Sequence, residues 1–267
     1  MAVIVFEVAY DGAGFNGFAR QKDESLRTVQ GELEGALQTV LGLQAAPQTV
    51  CAGRTDAGVH ALGQVVSWAA EDVDLPADGA GFGRLRASLG ALTGDDVAVR
   101  RVGMADDGFS ARFDAVRREY RYRIFSGGAQ PLFLRDFAWW HRGELDVDAM
   151  RRGAELLVGE HDFASFCKTE SAVGRNTVRT IEEISIDDDV ELGEGHLVVR
   201  VVGNAFLHSM VRAIVGTLVE VGTGRRGAEW VAGVLDERRR GAAGPTAPAK
   251  GLTLWRVEYP RGAVRWG

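Results

Sequence analysis

Residues 2 to 9 alternate only weakly between apolar and polar and are rich in Val, a pattern that predicts a mostly buried strand. The period then changes. Val29, Leu33, Ala36, Leu37, Val40 and Leu41 recur at three-to-four spacing behind Thr28, a helix-capping residue, and the apolar stripe stops at Gly42. One amphipathic helix follows from that spacing. Strands are predicted next near residues 48 to 53 and 63 to 69, a helix near 83 to 92, and a strand near 97 to 103, a strand, helix, strand, helix, strand series.

After a long strand at 115 to 125, the second part runs in a similar order. It has a helix near 146 to 158 capped by Asp146, strands near 178 to 187 and 196 to 203, helices near 206 to 222 and 228 to 239, and a last strand at 252 to 259. Strands outnumber what tight βαβ spacing requires, and some neighbours must be antiparallel. The expected fold class is therefore α+β, two similar α/β halves with a merged, mainly antiparallel sheet, and not a doubly wound parallel fold. The halves, residues 1–104 and 105–267, are expected to meet near 104 to 112, with no sequence repeat between them. Gly241-Ala242-Ala243-Gly244-Pro245-Thr246-Ala247-Pro248-Ala249, with two prolines among small residues, predicts an irregular loop.

Composition narrows the class. A chain with 46% hydrophobic and 25% charged residues is that of an ordinary globular protein. Cys51 and Cys167 are too few and too far apart for a disulfide framework or a Cys/His zinc site, which fits a reducing cytoplasm. The N-terminal residues lack a basic leader, and no apolar stretch approaches the ~20 residues of a membrane span, so the expected location is cytoplasmic. His60, His141, His161, His196 and His208 form no metal-spaced pair, and neither a P-loop nor a dinucleotide fingerprint is present. No metal and no cofactor are expected.

The formal charge of -6 argues against a polyanionic partner until its distribution is considered. Residues 182 to 194 hold seven acids (Glu182, Glu183, Asp187, Asp188, Asp189, Glu191, Glu194) and no Lys or Arg, so the remainder carries 31 positive and 37 − 7 = 30 negative side chains. The acidic block predicts a solvated hairpin. Arg117, Arg118, Arg121 and Arg123 interleave with Tyr120 and Tyr122, which suits either a nucleic-acid surface or an exposed strand face.

The chemistry concentrates in Gly53-Arg54-Thr55-Asp56-Ala57-Gly58-Val59-His60-Ala61. This string sets one acid, Asp56, among small residues where a strand should run into a turn, and Gly58 permits a left-handed conformation. An Asp at such a place ordinarily caps the turn. The nine residues, however, resemble the signature of the pseudouridine synthases, specifically the family that modifies the anticodon arm of tRNA. Shorter resemblances extend over nearly the whole chain: Tyr10-Asp11-Gly12 with Gly14-Phe15 and Gly17, Phe109-Ser110-Ala111-Arg112-Phe113, and His161-Asp162-Phe163-Ala164-Ser165-Phe166. The chain departs from the family at Phe18-Ala19-Arg20-Gln21, where a Trp and Gln-rich stretch is usual, and at Ser88 and Leu92-Thr93, where Asn and Leu-Pro are usual.

The resemblance implies the pseudouridine synthase fold with an RNA cleft between the halves, no cofactor, a homodimer, and conversion of uridine at tRNA positions 38, 39 and 40. It implies that Asp56 is the nucleophile, a role for which the acid must be dry, charged and unhindered. A buried carboxylate takes up a proton unless a cation stands beside it. Arg212, in the apolar segment Asn204 to Gly216, is the family's partner for that Asp. Arg54 is implied to hold the target nucleotide flipped, Tyr120 to stack on the extruded uracil, and Leu252, after Gly251, to pack against it. Spacing alone does not separate Tyr120 from Tyr122, which share a strand face. His60, Arg112 and Arg118 complete the expected substrate-binding set. Two rivals use the same residues differently: an RNA chaperone without catalysis, and a hydrolase pairing Asp56 with Asp11 or His60.

Overall fold

The computed structural model describes residues 3–70 and 78–267. Ala2, the first residue of the strand expected at 2 to 9, lies outside them. In chain order the elements are β1 (Val3–Tyr10), α1 (Val29–Leu41), β2 (Val50–Cys51), β3 (His60–Ala69), α2 (Gly79–Leu92), β4 (Val97–Ala105), β5 (Arg117–Ser126), β6 (Trp139–His141) and α3 (Val147–Glu155). They continue with β7 (Gly159–Asp162), α4 (Thr169–Ala172), β8 (Val178–Glu191), β9 (Glu194–Gly203), α5 (Met210–Gly222), α6 (Trp230–Glu237), β10 (Leu252–Glu258) and β11 (Val264–Trp266). The fold is mixed α+β with mainly antiparallel pairing. It divides into two compact units, Met1–Val116 with Leu254–Gly267, and Arg117–Thr253. The division falls after the 104 to 112 region, and the chain's last residues rejoin the first unit through β10.

In the first unit β1 is central, antiparallel to β3 (Val5↔Ser67) and to β4 (Val5↔Gly103), with β11 beyond β4 and β2 beside β3. Ile4, Phe6 and Val8 are fully buried, as are Leu33 and Leu37 of α1 and Leu89 of α2. Val3 and Val5 pack into a separate cluster with Ala52, Val65, Ala105 and Ala111. A strand covered on both sides has no solvent face, which is why its sequence alternates so weakly. The helix ends follow their local chemistry: Thr28 accepts from the Gly31 amide, and Gly42 closes α1 in the left-handed region at φ 62°.

In the second unit β9 lies between β5 (Tyr120↔Val201) and β8 (Ile184↔Val201), β7 extends the sheet beyond β8, and β6 runs parallel to β5. The helix expected from residue 206 begins only at Met210, because Ser209 sits in the left-handed region at φ 60°. The helix expected to reach 239 stops at Glu237, before Arg238 at φ 46°. β6, β7 and β11 were not predicted; at three, four and three residues they are too short to carry a period. The acidic block does form a hairpin, turning at Leu192 and Gly193 with φ of 53° and 80°, and Asp187, Asp188 and Asp189 are exposed. Among the described residues, no helix is long and apolar enough to cross a membrane.

Candidate active site

Asp56 stands in the connection from β2 to β3, partly exposed, in a turn where the Val59 amide donates to its carbonyl at 3.1 Å and Gly58 takes φ 77°. The turn is held by the segment that follows β1. Tyr10 shares a 2.7 Å hydrogen bond with the Thr55 hydroxyl, and the Phe18 amide donates to the Thr55 carbonyl at 3.1 Å. Gly17, at φ 97°, lies where a Cβ would come within 3.0 Å of that same carbonyl oxygen. Gly12 abuts the Val59 carbonyl so closely that no Cβ fits. Behind the turn, fully buried Gln64 donates to the Gly53 carbonyl at 2.7 Å and reaches the Tyr10 hydroxyl at 3.4 Å. The short motif Tyr10-Asp11-Gly12…Gly17 is thus the mount of the nine-residue motif, and the two glycines allow backbone to meet backbone.

His60 is buried, with Nδ1 3.0 Å from the Gly12 amide nitrogen and 3.0 Å from Asp11 Oδ1. The Gly12 N–H and the Asp11 carboxylate thus converge on the same ring nitrogen. His60 therefore braces the turn from behind.

Arg54 and Arg112 are both exposed, and both lie close enough to Cys51 to act on it. Burial pushes the Cys51 thiol up to about 11, against the pull of the two guanidinium groups. Arg112 belongs to the Phe109–Phe113 motif, which is pinned to the sheet where the Ala111 amide donates to Ser67 Oγ at 2.9 Å and Tyr259 donates to the Ala111 carbonyl at 2.6 Å. The first unit carries Asp56, Arg54, His60 and Arg112.

The second unit carries Tyr120, Arg118, Arg212 and Leu252. Tyr120 is 6% exposed and meets Phe206 edge to face at 5.0 Å between ring centres. Two of the arginines interleaved with it are engaged with the acidic hairpin, Arg117 with Glu182 and Arg123 with Glu191, while Arg121 pairs within β5 with Glu119, which also binds Arg200 of β9. Burial works to raise the Glu119 carboxyl, but the Arg121 and Arg200 hydrogen bonds outweigh it and hold it below its usual range. Arg118 donates to the Asn204 carbonyl at 2.6 Å. Clustered like charges along β5 thus meet opposite charges from β8 and from Glu119 on β5 itself.

Arg212 occupies the first turn of α5 and binds the Pro-rich loop reciprocally: its Nε donates to the Ala247 carbonyl at 2.8 Å, and its own carbonyl accepts from the Ala247 amide at 3.1 Å. Tyr122, fully buried, donates its hydroxyl to the Pro248 carbonyl at 2.8 Å. Burial raises the Tyr122 phenol above its ordinary value, with nearby Arg212 opposing the shift. Leu252, 5% exposed, begins β10 directly after Gly251. Sequence reasoning missed Gln64 and the anchoring part of Tyr122. The shared strand face had marked Tyr122, but nothing in the sequence announces a bond across 126 residues.

Among the described residues, no three His, Cys, Asp or Glu side chains gather as a metal site. Residues 154–260 match the family model described as tRNA pseudouridine synthase, a class of isomerases. A tRNA pseudouridine synthase A of Bacillus subtilis (strain 168) is 42% identical over 252 residues, 94% of this chain and 97% of its own length. One from Frankia casuarinae is 47% identical over 258 residues, 95% of this chain and 88% of its own. The chain belongs to the tRNA pseudouridine synthase A family. A solved chain titled as a Cbf5-Nop10-Gar1 complex aligns over 81% of this chain and 54% of its own at 13% identity, with a TM-score of 0.32.

Proposed function

We propose that this isomerase converts uridine to pseudouridine at positions 38, 39 and 40 of the anticodon stem and loop of tRNA, with Asp56 as nucleophile. The observation that carries the reading is the mount of Asp56. A partly exposed carboxylate lies in a turn fixed by Tyr10, Phe18, Gly12 and Gln64, within a nine-residue string that resembles the family signature. A nucleophile held in one place by its neighbours spends little ordering entropy when the substrate arrives.

The reaction breaks the C1′–N1 bond of the nucleotide, rotates the uracil and forms a C1′–C5 bond; N1 gains a proton and C5 loses one. Atoms are conserved, and the carboxylate that adds to the nucleotide is released at the end. Arg212 serves as the cation that keeps Asp56 charged, Arg54 holds the nucleotide flipped, and Tyr120 with Leu252 clamps the uracil. Support for Tyr120 over Tyr122 comes from the family resemblance of Tyr120 and from the complete burial of the Tyr122 ring. Arg112 and Arg118 contact the RNA, and His60 acts on the substrate through the turn it braces. The enzyme works as a cytoplasmic homodimer on the anticodon arm.

Site-resolved pseudouridine mapping of an unmodified tRNA transcript with uridines at 38, 39 and 40 tests this. Conversion by the wild type and none by Asp56→Ala, which still binds the tRNA, is the expected result. Turnover retained in Asp56→Ala removes the nucleophile assignment, and binding without conversion by the wild type turns the reading into an RNA chaperone.

A further inference from the structure

The first unit carries an open groove of about 460 Å³ whose lining includes Arg100, Arg101, Arg256 and Arg261 with Trp255 and Trp266. We infer that this groove is a second RNA-contact surface, taking the sugar–phosphate backbone and an unstacked base of the tRNA outside the target nucleotide. The inference rests on the tRNA reading above and deepens it.

The groove exists because two glycines let neighbouring strands close in. A Cβ on Gly63 of β3 would lie 2.6 Å from the Trp255 carbonyl oxygen of β10, and one on Gly103 of β4 would lie 3.0 Å from the Trp266 ring of β11. Larger residues there would push both tryptophans away. Trp255, Tyr259 and Trp266 are each partly exposed, so aromatic surface is offered beside the guanidinium groups. Arg101 lies over the Trp266 ring at 4.5 Å, which fixes one cation against one aromatic plane.

The charge is unbalanced. Glu7 pairs with Arg101 at 3.7 Å and Glu258 with Arg256 at 3.3 Å, and these are the acids that line the groove. Arg100 gives one hydrogen bond to the Leu62 carbonyl at 3.2 Å, and Arg261 is exposed and makes no ion pair among the described residues. Two cations therefore face solvent beside stacking surfaces, the combination that single-stranded RNA and loop nucleotides require. The position suits the same substrate. Gly63 lies three residues along β3 from His60, so the groove opens about 10 Å along the strand from the end of the Asp56 turn, at roughly 3.3 Å per residue. Nucleotides flanking one held at Asp56 span that distance. An acidic peptide needs the cations but not the aromatic planes.

The test compares wild type with the Arg100→Ala/Arg261→Ala double variant, and with a control, Arg84→Ala/Arg175→Ala, that removes equal charge from exposed positions elsewhere. Binding of full-length tRNA transcript is measured by fluorescence anisotropy across a KCl series, and single-turnover conversion on a minimal anticodon stem-loop at saturating enzyme. The groove variant should bind tRNA about tenfold more weakly, with a salt slope reduced by roughly 2, as expected for about two lost phosphate contacts. Its stem-loop turnover should match wild type, and the control should bind as wild type does. Unchanged tRNA affinity and slope in the groove variant, as a groove for acidic peptides would give, overturns the inference, and so does an equal loss in the control. A wild type that fails to convert the stem-loop defeats the proposed reaction instead, so the two failures are distinguishable.

Discussion

The hydroxyl of Tyr122 and the carbonyl of Pro248 are joined by a 2.8 Å hydrogen bond inside the second unit, and the loop that reaches Leu252 hangs on it. The same loop is held further back. Thr217 accepts from the Gly244 amide at 3.0 Å, Gly216 of α5 abuts the Pro245 carbonyl with no room for a Cβ, and Arg212 and Ala247 exchange hydrogen bonds. A segment of Gly, Ala and Pro, irregular between two short 3-10 turns, is thereby pinned at several points, and Arg212 and Leu252 stand at its anchored ends.

Gly251→Ala should disturb this arrangement most directly. Its Cβ would lie 2.5 Å from Cζ of Tyr122, a backbone-borne atom against a ring buried on all sides. Overpacking of this kind costs about 1–3 kcal/mol. Urea unfolding should show that loss, and conversion of the tRNA transcript should slow as Leu252 shifts. Unfolding and turnover both equal to wild type would mean that the ring moves aside freely. Tyr122→Phe is a milder probe: it removes the donor from the Pro248 carbonyl and should destabilise by roughly 1–2 kcal/mol.

Gly17→Ala tests the mount of Asp56. The residue holds φ 97°, a region where Cβ-bearing residues are strained, and its Cβ would sit 3.0 Å from the Thr55 carbonyl that Phe18 binds. The strain amounts to about 1 kcal/mol or more, small beside the stability of the unit, yet it falls on the residue next to the proposed nucleophile. Far-UV circular dichroism should be unchanged while the single-turnover rate drops at least about tenfold, the effect expected of a misplaced reacting group. An unaltered rate would show that the turn adjusts without moving Asp56.

The helices and long strands were legible because each carries its own signal: Thr28 and Gly42 bound α1, and Asp146 caps α3 by accepting from the Ala149 amide at 2.9 Å. Asp56 stands out as a candidate through a string of neighbours, not through its own chemistry. What escaped depends on distant residues. Nothing near Ser209 marks a left-handed residue that delays α5 by a turn, and nothing in Gly216 or Gly251 says which backbone or ring will press on it. The arginines of β5 read equally well as an RNA surface. The pairing of Arg117 with Glu182 and of Arg123 with Glu191 appears only once β9 brings the hairpin alongside.

Arg27 gives a pH-dependent term whose sign is fixed. Its guanidinium forks onto both oxygens of Asp96, at 2.5 and 2.8 Å, and also binds Glu32 at 2.7 Å. Hydrogen bonding by Arg27 holds the Asp96 carboxyl below its usual range. A carboxyl depressed on folding stabilises above its unfolded value, near 4, and loses that contribution as pH falls through the lower folded value. Both partners retain solvent contact, so screening limits the term to about 1 kcal/mol. Arg27→Gln should therefore lower urea stability at pH 7, with the gap to wild type closing below about pH 4. A gap of equal size at pH 3 would show that the lost interaction is packing against Phe15, whose ring centre lies 4.2 Å from the guanidinium carbon.

Cys51 reports on the ground beneath Arg54 and Arg112. With its thiol pushed up to about 11 by burial, it should be alkylated by iodoacetamide roughly a hundredfold more slowly at pH 7.5 than an ordinary exposed cysteine, before access is considered. Arg54→Ala/Arg112→Ala removes the two charges that oppose the rise, leaving only backbone hydrogen bonds to do so, and the thiol should climb further and react more slowly still, even though the double truncation opens space above it. That ordering separates electrostatics from access, because shielding by the two side chains predicts the reverse. Peptide mapping by mass spectrometry distinguishes Cys51 from Cys167, whose thiol is also raised by burial. Faster labelling of Cys51 in the double variant would mean that the arginines cover the sulfur and do not act on it through charge.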